Sequence, residues 1–288
     1  MTTKKLMSAV WGVALALGLA SAPASALTFY FPFTTFEDND LDFVVDTNSN
    51  GIIDVGDRLI SVLEFQTTQG VLTGQGPTSV LPVEVTGVAD LTVIGIGPNG
   101  QLIFGPSGAA GVLSGFAAGT TVALWTDATP DLEVINSDCG TRAQCLALAG
   151  LGGTDGSTLF MTIGFFGDLD AIWVSAPAAG GTTISTVQNG GASTIFGNFN
   201  YAQQVGVNNT GLILGEQSCL PFCGLGGNGL IQVTGSGDIL GGQGLVAAQW
   251  TARSDNDAKI VPLPEPGSLF LLGAGLLAFA GMRLRRKN

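Results

Sequence analysis

Between residue 27 and about residue 263, apolar and polar positions alternate in short runs broken by glycine and asparagine. A period of two marks strands with one buried face. Leu27-Thr28-Phe29-Tyr30-Phe31 opens as an aromatic strand, followed by the acidic stretch Glu37-Asp38-Asn39-Asp40. Within Leu81–Ile96, Val83 and Val85 alternate with Glu84 and Thr86. Thr121–Trp125, Ser157–Phe166, Ala171–Ser175, Thr194–Asn200, Leu212–Leu214, Leu230–Thr234 and Leu245–Ala252 read as further strands. Arg58–Phe65 fits a short helix or a buried strand equally well, and Asp131–Gly150 is the best helical candidate. Gly224–Gly229 and Gly235–Gly244 read as glycine-rich turns. The chain holds 44 glycines and is rich in Thr, Val and Ile; glycine disfavours helices and β-branched residues suit pleated sheet. No repeat of fixed period is present, which argues against a solenoid or propeller. The expected fold is all-β: one contiguous, Gly-rich, sandwich-like domain of two sheets.

Both ends of the chain have a different pattern. Lys4 and Lys5 precede an apolar run, Leu6–Ala20, and the small-residue stretch Ser21-Ala22-Pro23-Ala24-Ser25-Ala26. This is the form of a secretory signal peptide at residues 1–26, handled by the Sec translocon and signal peptidase. At the other end stand Pro264-Glu265-Pro266, the uncharged run Gly267–Met282, and the basic residues Arg283, Arg285, Arg286 and Lys287. The prolines end whatever precedes them. As a helix, residues 267–282 would span about 24 Å, close to the hydrocarbon thickness once arginines snorkel. The basic end holds that helix with its charges on the cytoplasmic side. These three parts in order resemble the PEP-CTERM sorting signal of Gram-negative exported proteins. The resemblance implies recognition by an exosortase-type membrane protease. It also implies anchoring in the inner membrane before processing, and a cell-surface or extracellular destination beside exopolysaccharide. The chain then divides into a signal peptide (1–26), an exported β-rich domain (27–261) and a sorting signal with a transmembrane helix (262–288).

Charge narrows the possible partners. The chain has 22 acidic and 10 basic residues. The exported part keeps 21 of the acids but only Arg58, Arg142, Arg253 and Lys259, a net charge of −17. Nucleic acid needs basic contacts to phosphate and is not an expected partner; divalent cations suit such a surface. Histidine is absent, which removes the usual general base and the commonest zinc ligand. The four cysteines, Cys139, Cys145, Cys219 and Cys223, lie in the exported part. An even count in an oxidising compartment points to disulfides. Three connectivities are possible, and the tight spacing favours Cys139–Cys145 with Cys219–Cys223 over a four-thiolate zinc site.

The sharpest candidate site is Asp46-Thr47-Asn48-Ser49-Asn50-Gly51-Ile52-Ile53-Asp54-Val55-Gly56-Asp57. Calcium takes six to eight oxygen ligands, and a twelve-residue loop supplies them from positions 1, 3, 5, 7, 9 and 12 around a glycine at position 6. Those positions are Asp46, Asn48, Asn50, the Ile52 carbonyl, Asp54 and Asp57, with Gly51 at the turn. The pattern is similar to the calcium loop of dockerin modules, an EF-hand-like form with Asp at position 12. That resemblance implies calcium binding and puts Arg58–Phe65 where the exiting helix would stand. No second copy of the loop is present, so a cohesin partner is not implied.

Signs of catalysis are weak. Serine and threonine lack their activating histidine, and no nucleophile elbow or phosphate loop appears. Asp168 and Asp170 could pair as glycosidase carboxylates but lie in a turn-like context. The expectation is a non-enzymatic structural or interaction protein stabilised by calcium. The alternative is a carbohydrate-binding module of an exopolysaccharide matrix. It would use Trp125, Trp173 or Trp250 as a stacking platform, and core packing is the plainer role for these rings.

Overall fold

The computed structural model describes residues 34–70, 79–132, 134, 141–153, 155–177, 179–224, 226–246 and 249–263. The expected signal peptide, the strand expected over Leu27–Phe31, Cys139 and the segment from Pro264 onward lie outside the described residues. In chain order the strands are β1 (Thr34–Val45), β2 (Arg58–Gly70), β3 (Ser79–Ile96), β4 (Leu102–Pro106), β5 (Thr120–Asp127), β6 (Thr158–Gly164), β7 (Ile172–Ser175), β8 (Ile195–Asn208), β9 (Ile213–Gly215), β10 (Gln217–Ser218), β11 (Leu230–Ile231), β12 (Val233–Gly241) and β13 (Ala252–Leu263). Among the described residues, two short α-helices, α1 (Arg142–Leu148) and α2 (Ile184–Asn189), and a 3-10 turn, Gly108–Ala110, interrupt them. The all-β expectation holds.

The strands are not divided into two facing sheets. Eleven of them form one antiparallel sheet running β12-β13-β1-β2-β3. There the far edge of β3 forks: Glu84–Ala89 pair with β5, and Leu91–Ile96 pair with β4. β8 forks in the same way, to β7 through Phe199–Ala202 and to β6 through Gln204–Asn208. β5 joins β6, β4 joins β7, and β8 then pairs with β12. The sheet therefore closes into a barrel. Closure removes the open edges that a sandwich must protect, and it replaces the sandwich expected from sequence.

Alternation sorts the side chains into two apolar layers. Inside the closed sheet lie Phe36, Leu63, Phe65, Val85, Leu91, Val122, Leu124, Trp173, Phe199, Tyr201 and Ile260. Outside β1, β2, β3 and β5 a second layer forms from Leu41, Ile60, Val62, Val88, Trp125, Leu113, Leu132, Val134, Cys145 and Trp250. Arg58–Phe65 is thus strand, not exiting helix. Ile60 and Val62 face the outer layer while Leu63 and Phe65 face the inner one, so neither face is polar and the period of two is hidden. Within the stretch Asp131–Gly150 expected to be helical, the described residues hold α1, which Thr141 caps by accepting from the Gln144 N–H; residues 133 and 135–140 lie outside the described residues.

Two other stretches differ from expectation. Gly235–Gly244 is mostly strand β12, because its glycines make room for rings. Gly235 stands opposite Tyr201 and Gly237 opposite Phe199. A Cβ on Gly235 would lie 2.1 Å from the Tyr201 hydroxyl, and one on Gly237 2.5 Å from the Phe199 ring. The acidic stretch 37–40 lies inside β1, paired on both edges. In Leu245–Ala252, residues 245, 246 and 249–251 lie outside any strand, and β13 begins at Ala252.

Two buried acids tie the barrel together. Asp90, on the outer face of β3, accepts from Arg58 at 2.7 Å, from the Ser107 hydroxyl at 2.6 Å and from the Val112 N–H at 2.5 Å. Its side chain is fully buried, and that of Arg58 is 14% exposed. Asp42 points into the barrel, where its carboxylate accepts from the Ser61 hydroxyl while Ser254 donates to neighbouring Asp40 at 3.2 Å. Burial, only partly offset by the serines, pushes the Asp42 carboxyl above the usual carboxylate range.

Removing one partner of a buried ion pair strands the other. Asp90→Ala is expected to lower unfolding free energy by about 3 kcal/mol in urea titration, and a loss below about 1 kcal/mol would contradict this role. Asp42 makes stability depend on pH. Its folded pKa lies above the unfolded one, so its contribution is intact in acid and lost as pH rises through the folded value. Asp42→Asn should match wild type near pH 3 and gain relative stability toward pH 8. Parallel stability–pH curves for the two proteins would refute the assignment.

Candidate calcium loop and the sorting segment

Residues 46–57 link β1 to β2 and wrap on themselves. Asp46 accepts from the Asn50 N–H at 3.2 Å and the Gly51 N–H at 2.7 Å. The Asn48 and Asn50 amides donate to the two oxygens of Asp54 at 3.0 and 2.6 Å. Four of the five expected ligand side chains therefore converge: Asp46, Asn48, Asn50 and Asp54. Gly51 makes the turn with φ +76°, a value that an L side chain resists.

Residues 181–184 orient the fifth group. Gly51 and Ile53 hydrogen-bond the segment 181–184 through Ile184 N–H to Gly51 O, Ile53 N–H to Thr182 O, and Gly181 N–H to Ile53 O. In extended backbone, successive residues point their polar groups to opposite sides. Ile52 therefore turns its N–H and carbonyl toward the loop, and its N–H meets Asn50 Oδ1 at 2.7 Å. Ile53 packs against the inner core, which anchors the loop.

Asp57 stands apart from these groups. It is fully buried. One of its oxygens accepts from the Thr47 N–H and hydroxyl, at 2.9 and 3.1 Å, and the other accepts from the Asp54 N–H at 3.0 Å. It staples the two ends of the loop. Beyond it, Gly56 N–H bonds Val93 O and Val93 N–H bonds Asp57 O, fixing the loop to β3.

The other candidates have structural partners. Cys219 and Cys223 form a disulfide with a Cα separation of 5.2 Å. Cys145 is also disulfide-bonded; its expected partner, Cys139, lies outside the described residues. Asp168 accepts from Gln204 at 2.6 Å, and Asp170 accepts from the Gly229 N–H at 2.9 Å. Both lie in a turn between β6 and β7, holding neighbouring segments in place. Trp125, Trp173 and Trp250 are each at most 5% exposed. Trp173 stacks on Tyr201 at 4.6 Å inside the barrel. None of the three offers a face to a sugar.

One acidic group was not singled out from sequence. Carboxylate oxygens of Glu84, Asp127 and Asp131 lie within 4.8 Å of one another on the outer wall. Burial first, then the Asp131 and Glu64 charges, pushes Glu84 up to about 7, against the lowering effect of the Asp131 and Leu132 N–H groups. Only the register of β3 with β5 brings Glu84 opposite Asp127, and no local motif signals that pairing.

At the end of the domain, β13 runs to Leu263, with Val261, Pro262 and Leu263 paired to β9. Residues 262–287 match the PEP-CTERM protein-sorting motif. This chain carries an exosortase sorting signal. It is therefore an exported protein, anchored at a membrane and then processed. No curated protein and no solved structure matches the chain significantly. The motif begins inside β13, so no linker separates barrel from signal. No helix among the described residues is long and apolar enough to cross a membrane, and the helix expected at 267–282 lies outside them.

Proposed function

We propose that this chain is a non-catalytic passenger: a calcium-stiffened β barrel delivered by its sorting signal to the cell surface or the exopolysaccharide matrix. The observation that carries this reading is the continuity of the sorting motif with β13. A barrel strand leads directly into the signal, so the folded domain is what the signal delivers. Pro264, Glu265 and Pro266 are the junction, the apolar run is a temporary tether, and Arg283, Arg285 and Arg286 orient it for the exosortase. A structural role is supported by the lack of histidine in the chain and by the packing tasks of Asp168 and Asp170. Against the carbohydrate-module reading stands the burial of Trp125, Trp173 and Trp250.

Calcium enters through the 46–57 loop. Asp46, Asn48, Asn50, Asp54 and the Ile52 carbonyl supply hard oxygens, water completes the shell, and Asp57 keeps the loop closed. The ion joins the β1–β2 connection to the 181–184 segment and tightens one end of the barrel. At calcium a hundredfold above Kd, the fold gains about 2.7 kcal/mol.

Two measurements test these parts separately. Asp46→Asn with Asp54→Asn should lower the number of calcium ions bound per chain by one in equilibrium dialysis; an unchanged count would remove the loop from the account. Mass spectrometry of the extracellular protein should find a C-terminus upstream of Arg283. A secreted chain still ending at Asn288 would contradict processing.

A further inference from the structure

We propose that Glu84, Asp127 and Asp131 form a second divalent-cation site on the outer wall of the barrel, suited to calcium and independent of the 46–57 loop. Strand register creates it. Glu84 on β3 is the direct antiparallel partner of Asp127 on β5. Like charges facing each other across strands are destabilising, yet here both are almost wholly buried, at 8% and 5% exposure. Asp131, just beyond β5, brings a third carboxylate within 4.8 Å of the other two. It is exposed and forms the open side of the cluster.

The hydrogen bonds leave room for an ion. Glu84 uses its oxygens to hold the backbone, accepting from the Leu132 N–H at 3.1 Å and the Asp131 N–H at 3.4 Å. Asp127 Oδ1 accepts from the Thr129 N–H at 2.8 Å. Its other oxygen, Oδ2, is buried and accepts no hydrogen bond. Asp155 Oδ2 and Ser157 Oγ are also buried without partners, and Asp155 is near enough for its charge to act on Asp131. A buried carboxylate oxygen with no donor is costly unless a proton or a cation meets it. The charged neighbours that act on Glu84 and Asp131 are Glu64, Asp127 and Asp155, all acids.

Donor chemistry selects the ion. Every candidate ligand is a carboxylate or hydroxyl oxygen, which suits hard cations over zinc or copper. Two carboxylates at strand-fixed positions with a third beside them fit the irregular shell of calcium better than the octahedron of magnesium, and water reaches the remaining positions past Asp131. A bound ion would fasten the segment after β5 to the barrel wall. That segment carries Leu132 and Val134 into the outer apolar layer, so the ion would stiffen a face remote in sequence from the 46–57 loop.

The test counts calcium ions bound to the full chain, with calcium as the only added cation after EDTA treatment. Glu84→Gln with Asp127→Asn should lower the count by one, both in wild type and in the Asp46→Asn/Asp54→Asn background. In EDTA the same pair should unfold at or above the wild-type temperature, since a repulsion has been removed. Asp131→Asn, at an exposed position, should weaken calcium binding at this site at least tenfold without changing the EDTA midpoint. A count unaffected by the Glu84/Asp127 pair overturns the proposal, as does calcium affinity unaffected by Asp131→Asn. If the 46–57 substitutions change nothing but the Glu84/Asp127 pair still removes one ion, the loop reading fails and this site stands.

Discussion

The seam between β8 and β12 is the contact on which the rest of the structure depends. Without it the sheet would be an open, twisted ribbon with two long edges. The seam forms because Gly235 and Gly237 lie opposite Tyr201 and Phe199. The rings fold across the glycine backbone into the lumen, where Tyr201 and Phe199 stack with Trp173. Tyr201 then reaches over β12 to donate to Asn256 on β13 at 3.1 Å. A larger residue at either glycine would push the ring away and part the strands. Closure is thus achieved by the absence of side chains on one strand and their excess on its neighbour.

Closing the sheet commits the chain to holding acidic groups at close quarters. Asp40 and Asp42 face the lumen, and Glu84 and Asp127 face each other on the wall. The exported part has few bases, and Arg58 is already held by Asp90. Cations from solution are the natural counterpart of such a surface. β13 belongs both to the seam-bearing sheet and to the start of the sorting motif, so folding and presentation of the signal share one element.

Sequence patterns revealed the class of fold more readily than its closure. Val83 and Val85 against Glu84 and Thr86 disclose a strand, because one face is more polar than the other. Leu59, Ile60, Val62 and Leu63 do not, because both faces of β2 are buried, one in each apolar layer. Gly235–Gly241 looks like a turn because glycine's usual meaning is local, whereas here its cause is a ring on another strand. The inner ties of the 46–57 loop were legible residue by residue, since its side-chain hydrogen bonds stay within twelve consecutive positions, whereas its backbone bonds to Val93 and the 181–184 segment were not. The Asp57 staple was hidden within the loop, because a carboxylate that ligates and one that caps look alike in sequence. The Glu84–Asp127 pair could not be read at all, since it exists only through register. Three tryptophans on expected strands could serve a sugar platform, with a core as the plainer role, and their burial agrees with the core.

The central claim, that one sheet closes on itself at the β8–β12 seam, is tested most directly by residue-resolved amide hydrogen exchange. In a closed sheet both edges of β12 are bonded, to β13 and to β8. Every amide from 233 to 240 should then exchange slowly, with the free energy of global unfolding and no alternation along the strand. Fast exchange at every second amide of β12, with the intervening ones protected by β13, would show an open edge and contradict the barrel.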